Sequence, residues 1–172
     1  MKLPLKIKVI PFMFSLLFGC SLGYQSPRYV ELAHEITENT AKELKAQKHL
    51  YLVGTGGQMM NDIQMMAMSF YYYQEVNLQT ARELIIYVIN QYLSAINNNK
   101  EIRSYLHEYP FTAKNVEIRI WVYNPDRSEL PLDKIYCIEC INGRLEYYTR
   151  SNRRQAIYEE TYEQASRAIS SE

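Results

Sequence analysis

Residues 116–149 read VEIRIWVYNPDRSELPLDKIYCIECINGRLEYYT, and their pattern decides the fold class. Val116, Ile118, Ile120 and Val122 alternate with Glu117, Arg119, Trp121 and Tyr123. Successive side chains of a strand point to opposite faces, so this spacing predicts a half-buried strand. Asn124-Pro125-Asp126 opens a turn. Ile135 to Ile141 reads as a second strand, and Asn142-Gly143 is a strong hairpin signal leading into Leu145-Glu146-Tyr147-Tyr148-Thr149. Links this short predict antiparallel pairing for these three strands.

Working towards the N-terminus, Asn77 to Asn97 is the strongest helix pattern. Leu78, Ala81, Ile85, Val88, Tyr92 and Ile96 form one stripe, widened by Leu84, Ile89 and Leu93; Asn77 is placed to cap it and Asn97-Asn98-Asn99 to end it. A short helical turn is expected around Ile102 to Leu106, stopping before Pro110. Residues 63–73 read as a strand with Met66, Met68, Phe70 and Tyr72 on one face. Leu50 to Val53 reads as another, broken by Gly54-Thr55-Gly56-Gly57. Before it, Tyr29, Ala33, Ile36, Thr40 and Leu44 recur at helical spacing, with Ser26 as N-cap and Pro27 as first helical residue. Acids fall early and bases late in that helix, as its dipole favours. Residues 155–170 read as a closing helix carrying Ile157, Thr161, Ala165 and Ala168. The expected order is α-β-β-α-β-β-β-α: an α+β domain over residues 27–172, with a single antiparallel sheet and its helices on one face.

The first eight residues hold Lys2, Lys6 and Lys8 and no acid, and an uncharged run from Val9 to Phe18 follows. Spanning a bilayer takes about 20 apolar residues, so this run has the length of a secretory signal, not of a membrane span. It ends in Leu17-Phe18-Gly19-Cys20, which resembles the lipobox of bacterial lipoproteins, with Phe18 where a smaller residue is usual. The resemblance implies a signal peptide over residues 1–19, cleavage after Gly19, acylation of the Cys20 thiol and of the new amine, and a short tether over residues 20–26. Two or more acyl chains anchor stably where one binds only marginally. Ser21 in place of Asp resembles outer-membrane sorting. The expected location is therefore a cell membrane or outer membrane, with the domain in the periplasm or on the cell surface.

Removing residues 1–19 from the 172 leaves 153, a single-domain length. Three of the 19 basic residues go with them, so 16 bases face 19 acids and the net charge is −3. That is no nucleic-acid footprint. Sixteen tyrosines, each an apolar body with a polar tip, suit half-buried strands and contact surfaces.

Among motifs that carry chemistry, Cys137-Ile138-Glu139-Cys140 has the spacing of a redox pair or half a zinc site. Within a strand, residues three apart face opposite ways, so the two thiols should neither bridge nor share a metal. Cys140 is expected inward with Tyr136 and Ile138, and Cys137 on the other face with Glu139. Gly54-Thr55-Gly56-Gly57 fails the dinucleotide fingerprint, because Met59 stands at its last glycine. His107-Glu108 begins like a zinc-protease motif, but Phe111 occupies the second histidine position, while His34 reads as solvated. No metal or cofactor is expected. Two groups stand out as contact candidates: Tyr71 and Tyr73 on one strand face, and the basic cluster Arg144, Arg150, Arg153 and Arg154. The expected role is a non-enzymatic binding or structural module of the envelope, partnered by the membrane through its lipid and by another envelope protein. The alternatives are an envelope hydrolase with a dispersed site, or a scaffold subunit of an envelope or secretion assembly.

Overall fold

The computed structural model describes residues 26–170, so the expected signal peptide and the Leu17-Phe18-Gly19-Cys20 stretch lie outside the described residues. Helix α1 (Arg28–Lys48) leads to strand β1 (Tyr51–Gln58), strand β2 (Met65–Tyr72) and helix α2 (Leu78–Asn98). Two single 3₁₀ turns, Ile102–Tyr105 and Ala113–Asn115, precede β3 (Val116–Val122), β4 (Ile135–Ile141), β5 (Arg144–Thr149), β6 (Tyr158–Thr161) and α3 (Tyr162–Ser170). The architecture is α+β, with one six-stranded sheet in strict chain order, β1 to β6.

The helix ends follow local chemistry. The Asn77 carboxamide accepts from the Thr80 N–H at 2.8 Å and caps α2. At the start of α1, Pro27 flanks Arg28, and its carbonyl takes the Val30 and Glu31 amides; Ser26 makes no cap bond. His49 turns left-handed (φ 55°) and ends α1 by donating to the Leu44 and Lys45 carbonyls.

One face of the sheet supplies Met66, Met68 and Phe70 of β2, Ile118 and Ile120 of β3, Ile138 and Cys140 of β4, and Leu145 and Tyr147 of β5, all at most 1% exposed. These join one core with Leu32, Ile36 and Leu44 of α1, Ile85, Val88, Ile89 and Tyr92 of α2, and Ala165 of α3. Helix α2 packs on β3 and β4, and α1 and α3 each lie against α2. Inside that core the Thr37 hydroxyl of α1 meets the Tyr92 hydroxyl of α2 at 2.7 Å.

Three expectations about the strands and their pairing need correction. The sheet is mixed, not antiparallel: β2 and β3 run parallel, in register from Met66↔Val116 to Tyr72↔Val122. Helix α2 is the reason, because a crossover of its 21 residues carries the chain back to the end of the sheet where β2 began. The expected antiparallel links among β3, β4 and β5 are present. Secondly, Gly54-Thr55-Gly56-Gly57 does not break β1 but pairs along β2, Gly54 opposite Ser69 and Gly56 opposite Ala67. The ladder outweighs the low strand propensity of glycine. Thirdly, residues 158–161 are a sixth strand, not the first turns of a helix; β6 pairs with β5, and α3 begins only at Tyr162.

Candidate functional site

The second face of the sheet follows from the same alternation. Trp121 pairs with Tyr71 on one side and with Cys137 on the other, and Tyr71 pairs with Tyr51. Tyr73 and Tyr123 continue the row just past β2 and β3. A β-bulge between Ile135 and Cys137 puts Tyr136 on this face as well, 5.8 Å from the Trp121 ring centroid. Tyr136 therefore does not point inward with Ile138, as simple alternation predicts. Tyr71 meets Tyr123 edge-on at 5.2 Å, Tyr73 lies 6.1 Å from Tyr123, and Tyr51 lies 5.4 Å from Tyr73. Five of these six rings are half-buried, and Tyr51 is exposed. Offset and edge-to-face contacts at such distances stabilise aromatic pairs and fix the rings.

Cations frame the cluster. Lys45 lies over Tyr51 at 5.5 Å, Arg127 over Tyr73 at 5.5 Å, Arg153 over Tyr136 at 5.8 Å and Arg119 over Trp121 at 5.9 Å. Arg119 is neutralised by Glu139 at 2.7 Å. Arg127 and Arg153 make no ion pair among the described residues, so their charge faces outward over the rings. Arg127 holds a left-handed backbone (φ 70°) in a turn fixed by its own N–H to the Asn124 carbonyl at 2.8 Å and by the Asn124 carboxamide to Ser128 and Glu129. A non-glycine residue held there is a strained choice that aims the guanidinium at the cluster. A cavity of ≈ 140 Å³ opens between Trp121, Tyr123, Tyr136, Arg150 and Arg153. Burial raises the phenol pKa of both Tyr123 and Tyr136 above the ordinary value.

The structure thus brings Tyr71, Tyr73, Arg150 and Arg153 to one end of the sheet, Arg150 held by Glu129 and by the Leu130 carbonyl at 2.7 Å. Arg144 sits at the other end of β5, bonded to Glu146 and Glu159, and does not join them. Arg154 is exposed beside Arg153. Sequence reading missed Tyr51, Trp121, Tyr123, Tyr136 and Arg127 as members of the surface. The outward half of the alternation from Glu117 to Tyr123 carried the signal for two of them.

Cys137 and Cys140 are both free and buried, on opposite faces of β4; only Cys140 belongs to the core, where its thiol approaches the Ala113 carbonyl at 3.9 Å. Burial pushes each thiol up to about 12. Only the thiolate is nucleophilic. In the native protein at pH 8, Ellman's reagent should therefore leave both unmodified over hours, and urea should release them together. Peptide mapping checks this; native modification at either site, or a Cys137–Cys140 disulfide, contradicts the burial described.

The His107 imidazole donates to the Asp62 carboxylate at 2.6 Å, and the carboxylate raises the imidazole pKa above its ordinary value. Among the described residues, no hydroxyl or thiol bonds to that imidazole, and no three His, Cys, Asp or Glu side chains gather as metal ligands. No described helix is long and apolar enough to cross a membrane. No protein-family model, curated protein or solved structure matches the chain.

Proposed function

We propose that the protein is a lipid-anchored binding module of a bacterial cell envelope, held by Cys20 and meeting another envelope protein through the aromatic second face of its sheet. In this reading all three helices lie on the Met66 face, and the opposite face is left for contact. The observation that carries the contact role is the ring cluster itself: Tyr51, Tyr71, Tyr73, Trp121, Tyr123 and Tyr136 gathered on one side, under the two uncompensated guanidinium groups of Arg127 and Arg153. Aromatic residues and arginine are the groups enriched in the buried centres of protein interfaces. The open charges favour an acidic partner surface. Support for the anchor is the Leu17-Phe18-Gly19-Cys20 resemblance together with the basic, short apolar leader.

Both halves are tested in a bacterial host. Radiolabelled palmitate should enter the wild-type protein and be lost in Cys20→Ala; label on the variant overturns the anchor. A photoreactive benzoylphenylalanine at Tyr71 should give a discrete protein adduct that Arg127→Glu with Arg153→Glu abolishes. Absence of the adduct, or its persistence in the double variant, overturns the contact face.

A further inference from the structure

The two outer strands of the sheet are unlike each other. Strand β6 has four residues and carries Glu159 and Glu160. Strand β1 has eight, from Tyr51 to Gln58, with no charge and no proline. Sheets usually blunt an outer strand with charge, proline, shortness or a bulge, because its unpaired amides and carbonyls are a template for another strand. The one such device in β1 is the irregularity between Leu52 and Gly54, and Thr55, Gly56, Gly57 and Gln58 beyond it are all exposed. Among the described residues, the Tyr51–Gly57 backbone bonds to β2 and to nothing on its other side.

A groove of ≈ 380 Å³ lies beside this free edge. Val30, Ala33 and Thr37 of α1 form one wall, Thr55, Gly57 and Met59 the other, and His34 is exposed at its mouth. An edge strand next to a helix-walled groove is the geometry of strand addition, in which backbone bonds give affinity and a pocket for alternate side chains gives selectivity. Gly54 and Gly56 present no side chain, so an incoming backbone meets no wall on the opposite face either.

We propose that β1 accepts an extended segment of another polypeptide as a further strand of the sheet, with a bulky apolar side chain of that segment seated in the groove against α1. The groove lining selects the side chain: Val30, Ala33 and Met59 are apolar, and no carboxylate, lysine or arginine lines it. A second copy of this chain fits poorly, because the β1 residues on the groove side are Leu52, Thr55 and Gly57, and Leu52 is already packed against its own core. The groove shares no lining residue with the aromatic face and needs no lipid anchor, so the proposal stands or falls independently of the reading above.

The test uses the full chain in mild detergent, against an array of synthetic peptides of about ten residues, with Leu, Ile or Phe alternating with Thr or Lys, each matched by a proline-interrupted version. Alternating peptides should bind at least about tenfold more tightly than their matches, and amide exchange at residues 53–58 should slow by about tenfold or more in the complex. Thr55→Lys, which puts an ammonium in the groove, should weaken binding by about tenfold or more. Val30→Glu serves the same end from the helix wall should Thr55→Lys fail to fold. The proposal is overturned if no alternating peptide binds, if protection falls elsewhere, or if the groove variants bind like wild type. Protection of residues 53–58 that grows with protein concentration in the absence of peptide also overturns it, in favour of self-association.

Discussion

Arg82→Met should cost about 3–5 kcal/mol of folding stability, although the substitution keeps the length and apolar stem of the side chain. The Arg82 guanidinium donates to Glu160 at 2.8 Å, and the Tyr147 hydroxyl donates to the same carboxylate oxygen at 2.7 Å. The Arg82 and Glu160 side chains are only 12% and 4% exposed. A buried carboxylate stripped of its cation keeps the full desolvation cost with one hydrogen bond left to offset it. Glu160→Leu alone should cost a comparable amount, by stranding the guanidinium. The double variant, Arg82→Met with Glu160→Leu, should recover part of the loss, since an apolar pair of similar volume replaces the ion pair, while the buried Tyr147 hydroxyl still loses its acceptor. Urea melts of the four proteins give the cycle. Additive losses, or a single variant within about 0.5 kcal/mol of wild type, would show that the pair is solvated and not part of the core.

The second large effect lies at the middle of the sheet. Phe70 of β2 is fully buried, with Tyr71 beside it on the opposite face and Ile120 opposite it on β3. Phe70→Ala should lower stability by about 3–5 kcal/mol, from lost transfer free energy and the cavity left behind. On α2, Val88→Ala and Ile89→Ala should cost about 1–4 kcal/mol each for the same reason. Domains are stable by only about 5–15 kcal/mol, so Phe70→Ala is expected to leave part of the population unfolded at 37 °C. Arg154→Ala, an exposed substitution, should stay within about 0.5 kcal/mol in the same melts. A neutral Phe70→Ala would mean that the sheet's faces are assigned the wrong way round.

What the sequence made legible was what hydrophobic periodicity encodes. The stripe from Ala81 to Ile96 is the buried side of α2, and Met66, Met68 and Phe70 face inward as their spacing requires. The Asn142-Gly143 turn forms with both residues left-handed, at φ 51° and 74°. Strand β6 stayed hidden because its inward residue is Glu160: a carboxylate satisfied by Arg82 and Tyr147 occupies the position where an apolar residue would have signalled a strand. The parallel pairing of β2 with β3 was illegible for another reason. Local pattern says which residues face the core but not which distant strand lies alongside. Of the aromatic surface, Tyr71 and Tyr73 could be named from their own strand, whereas Tyr136 needed the bulge, which no local signal announces.

The parallel seam between β2 and β3 also sets the order in which the chain can assemble. Everywhere else, each strand is joined to its neighbour by a short connection, so β1 with β2, and β3 through β6, can close locally. Among the strand pairings of the described residues, only the seam joins residues some fifty positions apart, Met66 to Val116 and Tyr72 to Val122. The loop-closure entropy of the sheet is therefore concentrated at one joint. Helix α2 bridges that joint and shortens it by folding the intervening chain into a rod about 30 Å long. Two hairpin-built halves would wait on one helix, and the rate at which this protein reaches its native state would be the rate at which α2 docks and brings the halves edge to edge.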